Sequence, residues 1–380
     1  MATQKPIVDS SRRITSDQTL DFLHKLKIDA LISETRKPIE PLVYARTTDK
    51  VSLILNLLRI HDIISLPIYD PSKGKFIAIV NVVHIVRFLM LRKVYSFPVL
   101  TNESVDGESQ TKELGEKIKS DLIDVYDLQI TEVINSIEPK ALASFKIYHK
   151  SAPLIVGLQA MGTRENVYSI LASMAKEKEN IEDIQKAMIL TQWDAINFLL
   201  NNEVFKQNKT FDLPASKAMQ RNWISFTMKD DPNQPSHRLP VTSAKMTFAF
   251  SITQDMSAFA GFKIMAIHRL SSIAIVDINN TLVDNLSASD IRYLTIDNIT
   301  DGLLPVREFL QKIYSHPKEV AACTEDIRLE EVMHSAVSIG VHRIWVKEKD
   351  TNKPIGVVSM SDMLDMLVGH MEPQELGDVE

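Results

Sequence analysis

The amino-acid sequence predicts an α/β (α+β) fold in which one short unit, helix–strand–strand–helix, occurs four times. The clearest copy lies at residues 340–368, where two apolar strands flank the charged turn 347–353 and a helix follows. Apolar residues at helical spacing, followed by two apolar runs, mark the same order at residues 51–91 and 258–294. One such unit is too small to bury a core alone, so the four copies are expected to pack in pairs.

The composition narrows the class of protein. A length of 380 residues with 44% hydrophobic and 24% charged residues is typical of a folded protein with several domains. The net charge of −6 argues against a general nucleic-acid binder, but a nucleotide pocket needs only a few local cations. The single cysteine, Cys323, excludes a disulfide framework and a cysteine-rich zinc site.

The sequence also indicates the cellular compartment of the protein. The first residues contain no apolar stretch typical of a secretory signal, and no run approaches the roughly 20 apolar residues that span a bilayer. We therefore expect a cytoplasmic or nuclear protein that binds neither membrane nor nucleic acid.

In the first unit, apolar residues from Val51 to Leu58 recur at spacings of three, four and seven, which predicts a helix with one buried face. Strands are expected at residues 64–69 and 76–80, joined by the turn sequence DPSKGK. A helix is expected at residues 83–91.

The second unit is harder to trace. The spacing of the apolar residues at 167–174 predicts its first helix, and residues 187–191 and 194–200 predict a strand and a helix. Only the weak candidate at residues 181–185 is available for the other strand. We therefore expect this unit to be degenerate.

The third and fourth units are clear. Their helices begin near Ala258 and Leu329. Their strands are expected at residues 272–276, 282–286, 342–346 and 355–359.

These patterns suggest a division of the chain. We predict a disordered N-terminal tail (1–18), four repeats (36–100, 128–205, 211–298 and 303–370), a polar linker with one exposed helix (101–127) and an acidic tail (371–380). A further insertion at residues 229–240 is rich in proline and polar residues.

A Ser/Thr-x-x-Asp motif stands at the start of the last helix in three of the units. The three pairs are Thr191 with Asp194, Ser287 with Asp290, and Ser359 with Asp362. In this spacing the hydroxyl can cap the helix while the carboxylate lies in its first turn. One copy alone would indicate only a cap, but three copies at the same place in a repeat favour a shared binding role. In the first unit, Asn81 and His84 take these positions.

The repeats resemble the cystathionine-β-synthase (CBS) domain over most of residues 40–370. The match is carried by VHRIWVKEKDTNKPIGVVSMSDML in the fourth unit and HRLSSIAIVDINNTLVDNLSASDIRYL in the third. Weaker matches are ISLPIYDPSKGKFIAIVNVVHIVRFL in the first and AMILTQWDAINFL in the second. CBS domains pair into Bateman modules, so the resemblance implies two modules in a disc-like, pseudo-symmetric arrangement.

A four-repeat chain without a catalytic domain is similar to the γ regulatory subunit of AMP-activated protein kinase. It also resembles γ-like plant proteins and fungal stress- and cell-cycle-linked CBS proteins that restrain type 2A-related phosphatases. The resemblance implies a non-catalytic energy-sensing regulator that binds AMP, ADP or ATP. Its partners would be protein kinase catalytic and scaffold subunits. The alternative is a scaffold or regulator of a phosphatase catalytic subunit, with vestigial nucleotide sites. Self-association into a homo-oligomer is left open.

The resemblance also assigns roles to residues. The motif aspartates Asp194, Asp290 and Asp362 would accept hydrogen bonds from ribose hydroxyls, next to Thr191, Ser287 and Ser359. Phosphates would be bound by His342 and Arg343 at the start of a strand. The first unit lacks the aspartate, and we predict that its ribose site is empty.

Other candidates are weaker. His268 and Arg269 form a similar pair, but two residues separate them from the strand, so a solvated helix end is an equal alternative. Thr47, Thr48 and Thr324 would touch adenine or ribose by analogy, and serve equally well as helix caps. The sequence contains no motif of a catalytic site and no metal-ligand spacing, so we expect neither a catalytic residue nor a catalytic cofactor nor a metal.

Overall fold

The computed structural model confirms the predicted α/β fold. The residues that it describes are 16–35, 41–92, 107–137, 139, 142, 145–162, 167–176, 186–219, 222–226, 248–314 and 320–368. The weak strand predicted at 181–185, the insertion at 229–240 and the acidic tail lie outside these residues.

Two short helices, α1 (Ser16–Lys25) and α2 (Ile28–Glu34), precede the first unit. Leu23 and Ile28 are fully buried in the core that the second and fourth units share. Helix α1 begins at Ser16, two residues before the predicted end of the N-terminal tail, and the rest of that tail stays a prediction.

The first unit has the predicted elements. Its members are β1 (Ala45–Arg46), α3 (Val51–Ile60), β2 (Ser65–Asp70), β3 (Lys75–Asn81) and α4 (Val82–Leu91). Strand β1 pairs parallel to β2, and β3 pairs antiparallel to β2. The short leading strand was not predicted, since two residues carry no recognisable period.

Helix α5 (Gly107–Tyr126) occupies the segment predicted as a polar linker. Ile118, Leu122 and Tyr126 are buried at four-residue spacing in the core of the first and third units. The predicted exposed helix is therefore one of the core elements. Its many charged residues cover the opposite face and obscure the narrow apolar stripe.

The second unit follows α6 (Ile130–Ser136). Its members are β4 (Ile147–His149), α7 (Leu154–Gly162), β5 (Ser169–Ser173), β6 (Ala187–Thr191) and α8 (Gln192–Asn201). The helix predicted at residues 167–174 is wrong, because β5 lies there and is buried along its whole length. A short, fully buried apolar run is compatible with either a helix or a strand. The unit has the same strand pairing as the first, so its elements are not degenerate.

The third unit carries one additional strand. Its members are β7 (Asn222–Phe226), β8 (Phe248–Thr253), α9 (Ala258–His268), β9 (Ser272–Val276), β10 (Leu282–Ser287) and a 3₁₀ helix, Ala288–Tyr293. Strand β7 pairs parallel to β8 and extends the sheet to four strands. In this unit the motif aspartate Asp290 lies in the first turn of a 3₁₀ helix, whereas Asp194 lies in the first turn of an α-helix.

The fourth unit confirms the predicted order. Its members are α10 (Val306–Ile313), β11 (Ala322–Cys323), α11 (Leu329–Ile339), β12 (Arg343–Lys347), β13 (Pro354–Ser359) and α12 (Met360–Val368). Further 3₁₀ turns are Phe205–Gln207, Lys209–Asp212, Ala215–Lys217 and Ile299–Leu303.

The four units form a closed ring through two kinds of contact. Helix packing joins the first unit to the third (α4 on α9) and the second to the fourth (α12 on α7), which gives two apolar cores. The sheets make the other contacts: Trp345 Nε1 donates to Asn285 Oδ1 at 3.0 Å between the fourth and third units. The Ser65 and Ser169 hydroxyls hydrogen-bond at 2.9 Å between the first and second units. The sheet contacts thus pair the third unit with the fourth, and their cleft holds the candidate site.

Candidate functional site

A cavity of about 470 Å³ lies between the third and fourth units. Its wall includes Asp290 from the 3₁₀ helix of the third unit, and His342 and Arg343 from the start of β12 in the fourth. The structure thus brings together one predicted ribose acceptor and both members of one predicted phosphate-binding pair. Cavities of this size hold drug-sized ligands.

Asp290 is almost completely buried, with 1% of its surface exposed. Its Oδ2 accepts from the backbone N–H of Ser287 at 2.8 Å, as in a capping box. Its Oδ1 accepts from the hydroxyl of Tyr314. Burial raises the pKa of Tyr314 far above its ordinary value, and the negative charge of Asp290 raises it further. The phenol therefore keeps its proton and remains a hydrogen-bond donor.

Arg343 lines the cleft and makes polar contacts with the third unit. It donates to the backbone oxygen of Ser271 at 3.1 Å and to its hydroxyl at 2.9 Å. Burial lowers the pKa of this guanidinium, whereas Tyr168, Asp290 and Asp362 raise it. An arginine keeps its charge through such shifts, so a fixed cation faces two motif aspartates.

His342 is a neutral imidazole at neutral pH. Burial, reinforced by the charges of Arg343 and Arg292, lowers its pKa to about 4. Its Nδ1 is buried and has no hydrogen-bond partner within the described part of the chain. A buried polar atom without a partner is uncommon in proteins and is consistent with a site that a ligand or water completes.

Asp194 and Asp362 have the same local geometry as Asp290. The backbone N–H and hydroxyl of Thr191 donate to Asp194 Oδ2 at 2.9 and 2.7 Å. The backbone N–H and hydroxyl of Ser359 donate to Asp362 Oδ2 at 2.9 and 2.5 Å. The three motifs therefore all cap helices, and this does not exclude binding, since a carboxylate has two oxygens with several lone pairs. Neither aspartate lines the cavity described above.

The first unit forms a capping box without a carboxylate. Asn81 Oδ1 accepts from the N–H of His84 at 3.0 Å, and His84 Nδ1 accepts from the N–H of Asn81 at 3.3 Å. Burial lowers the pKa of His84 to about 4, with a smaller contribution from Arg87. Because Nδ1 of the neutral His84 already accepts in the capping box, this side chain offers no acceptor to the hydroxyls of a ribose. That the ribose site of the first unit is empty remains our prediction.

His268 and Arg269 do not line the cavity. The His268 ring packs against Phe250 with centroids 4.6 Å apart. Arg269 ends helix α9 in the left-handed conformation, with φ 58°, and its side chain is exposed. Their geometry fits a helix end better than a phosphate contact.

Thr47, Thr48 and Thr324 are not N-caps, because Lys50 and Arg328 precede the helices concerned. The backbone N–H of Thr47 donates to Tyr69, and the Thr324 hydroxyl donates to Asp326. None of the three threonines lines the cavity.

Sequence reasoning missed Tyr314 and Ser271. Tyr314 follows helix α10, lies 24 positions from the aspartate that it contacts, and belongs to no repeat motif. Ser271 lies in the short connection between His268–Arg269 and β9, where it contacts Arg343 from another unit. Only contacts between units reveal either residue.

The described residues provide neither a membrane span nor a metal-binding cluster. No helix among them is long and apolar enough to cross a membrane. No group of three or more His, Cys, Asp or Glu side chains in this part of the chain is placed to hold a metal ion.

The four units share one arrangement, a small sheet packed with helices, and a polar cleft lies between two of them. The family model for the CBS domain matches residues 310–369. The chain thus contains a CBS domain at these residues, and it is similar to γ subunits of AMP-activated protein kinase.

Individual relatives support this conclusion. The chain is 28% identical over 145 residues to the SNF1-related protein kinase regulatory subunit gamma-1-like of Arabidopsis thaliana, which is 34% of this chain and about a third (32%) of that protein. It is 21% identical over 369 residues to the 5'-AMP-activated protein kinase subunit gamma of Saccharomyces cerevisiae, covering 96% of this chain and 98% of that one.

A solved structure shows the same fold. It is protein MJ1225 of Methanocaldococcus jannaschii, described as a proposed archaeal homologue of γ-AMPK. It superposes with a TM-score of 0.59 at 11% sequence identity, over 90% of this chain and 99% of that chain. At this identity the likeness concerns the fold alone.

Proposed function

We propose that this protein is a non-catalytic regulatory subunit that binds an adenine nucleotide, AMP, ADP or ATP, between its third and fourth units and controls a protein kinase of the AMP-activated type. The observation that carries the proposal is the cavity in which Asp290 lies together with His342 and Arg343. The names of the relatives support the kinase as the regulated enzyme.

Each group in the cavity has a role in this proposal. Asp290 accepts from the ribose hydroxyls in charge-strengthened hydrogen bonds. Arg343 keeps a positive charge and has a forked set of donors that suits phosphate oxygens. His342, neutral and with Nδ1 buried, supplies a hydrogen bond rather than a charge.

Regulation follows if the nucleotides differ in their contacts. AMP, ADP and ATP compete for one cleft, and only a difference in binding free energy between two conformations can shift their populations. The phosphate end is where the three ligands differ, so Arg343 and His342 are the groups that distinguish them.

The test is calorimetry of the full chain with AMP, ADP and ATP. Arg343→Gln should weaken binding at least tenfold, roughly the effect of one charged hydrogen bond. Arg269→Gln is the matched control, since Arg269 lies outside the cavity, and should leave the affinity unchanged. If none of the three nucleotides binds the wild-type protein below millimolar concentration, the proposal is wrong.

One observation favours the second candidate, a scaffold or regulator of a type 2A-related phosphatase. Asp290 is buried and already bonded to Tyr314, as expected of a site that no longer binds nucleotide. Affinity capture of the tagged full chain from its own cells separates the two: kinase catalytic and scaffold subunits support the first, and a phosphatase catalytic subunit supports the second.

A further inference from the structure

Tyr314 lies where a ligand hydroxyl would have to bind. Its phenol donates to Oδ1 of Asp290, while the backbone of Ser287 already occupies Oδ2. Each carboxylate oxygen of Asp290 thus already accepts one hydrogen bond, and only 1% of the residue's surface is exposed, so the phenol stands on the side from which a ligand would reach Oδ1. A bound ribose and the Tyr314 hydroxyl thus compete for the same side of one carboxylate.

The Tyr314 side chain is held by a ring contact but is not fully enclosed. Helix α10 ends at Ile313, and Tyr314 has the extended backbone of a C-cap, with φ −116° and ψ 123°. Its ring packs edge-on against Tyr293, with centroids 5.8 Å apart, and its backbone N–H donates to Leu310 at 3.0 Å. The side chain is only half-buried and lines the cavity, although it also packs against the edge of the core that the first and third units share. Its withdrawal therefore gives up part of this packing but does not require the core itself to open.

We propose that Tyr314 is a built-in competitor of the nucleotide: its hydroxyl must leave Asp290 before a ligand diol can bind there. This inference rests on the proposed function and adds its regulation. The apparent dissociation constant equals the intrinsic one divided by the fraction of molecules in which Tyr314 has withdrawn. Any partner or modification that holds Tyr314 away from Asp290 therefore raises the affinity of the site.

Calorimetry of the full chain with AMP measures the competition. Tyr314→Phe removes the competing hydroxyl and keeps the ring, so AMP should bind about tenfold more tightly, as expected for the loss of a hydrogen bond to a charged group. Tyr293→Phe is the matched control, because it removes a phenol hydroxyl from the neighbouring ring, and it should leave the affinity unchanged. An unchanged or weakened affinity of Tyr314→Phe overturns the proposal.

Fluorine NMR of fluorotyrosine-labelled protein gives a second reading, in which the response to AMP is measured on the wild type. The Tyr314 resonance, assigned by its absence from Tyr314→Phe, should shift when AMP saturates the protein. If AMP releases heat but this resonance stays in place, the competition is refuted while the nucleotide function stands. If AMP binds neither wild type nor Tyr314→Phe, the nucleotide function fails, and the competition with it.

Discussion

At the residue scale, the buried motif aspartates combine two tasks that the sequence could not separate. Asp194 is 1% exposed and accepts two hydrogen bonds from Thr191 at the start of α8. This cap stabilises the helix whether or not a ligand binds, because it satisfies donors that would otherwise lose their partners.

Replacing Asp194 by Ala should lower the free energy of unfolding by about 1–2 kcal/mol, the usual range for a lost cap. Urea denaturation without nucleotide measures this change. Asp124→Ala on the exposed face of α5 serves as the control and should change stability by less than about 0.5 kcal/mol. An unaltered midpoint for Asp194→Ala would show that the cap contributes nothing.

A second residue-scale prediction concerns His342. Its pKa of about 4 in the folded protein is below the ordinary value of 6.5. The unfolded chain therefore binds a proton as the pH falls through 6.5, but the folded chain does so only near 4. The contribution of His342 to the free energy of unfolding is complete above pH 6.5. It decreases as the pH falls towards 4, by up to about 1.4 kcal/mol per pH unit.

Urea denaturation at about pH 7 and about pH 5 tests this pH dependence. The wild type should lose more stability than His342→Gln, which has no titrating group at this position. His84, whose pKa is also about 4, contributes its own part to both proteins and cancels in the comparison. Equal losses in the two proteins would contradict the prediction.

At the element scale, Arg292 fixes the third unit to the first. The side chain is 6% exposed and donates through Nη1 to the backbone oxygens of Leu58 and Ile63, at 3.0 and 2.9 Å. Its Nη2 reaches Asp62 at 3.1 Å. A cation at the C-terminal end of α3 satisfies carbonyls that the helix leaves open and complements the helix dipole.

Arg292→Met should therefore destabilise the protein by roughly 2–4 kcal/mol, since buried carbonyls lose their donors. Thermal and urea unfolding give the magnitude. Arg307→Met is the control, because Arg307 is exposed and its bond to Gln254 lies at the surface. A loss no larger than that of the control would mean that water replaces the guanidinium at no cost.

The elements also show how far sequence patterns reach. The helix from Val51 was predictable because its buried residues recur with a helical period, and the strands of the third and fourth units because apolar runs flank turn residues. Strand β5 (Ser169–Ser173) was misread as helix because all five residues are buried, which removes the period. Helix α5 was misread as exposed because its buried stripe is narrow.

For the candidate site, the sequence predicted the groups and not their surroundings. Asp290, His342 and Arg343 stand out through repetition and resemblance, and the structure places them around one cavity. Tyr314 could not be predicted, since a single tyrosine outside the repeats has no pattern. The burial that keeps His342 neutral likewise has no signal in the sequence.

At the scale of the whole molecule, each apolar core is shared by units that are distant in sequence. The first unit needs the third, and the second needs the fourth, whereas sheet contacts join neighbours. A half-molecule of two consecutive units therefore keeps one sheet contact and exposes half of both cores.

We accordingly expect the fragment 211–370 to self-associate, since a second copy can cover both exposed helix faces. Sedimentation analysis should find dimers or larger species, whereas the full chain at the same concentration has both faces covered internally. A fragment that stays monomeric and unfolds cooperatively would contradict this expectation.

The pairing of α4 with α9 also has a consequence for synthesis on the ribosome. Helix α4 ends at Leu91, but its partner α9 is complete only at His268. At about 5–20 residues per second, the nascent chain exposes the apolar face of α4 for on the order of ten to thirty seconds. During this interval α6 can already pack against α4, but the surface that α9 covers has no native partner, so translation speed and chaperone access affect the yield of this protein.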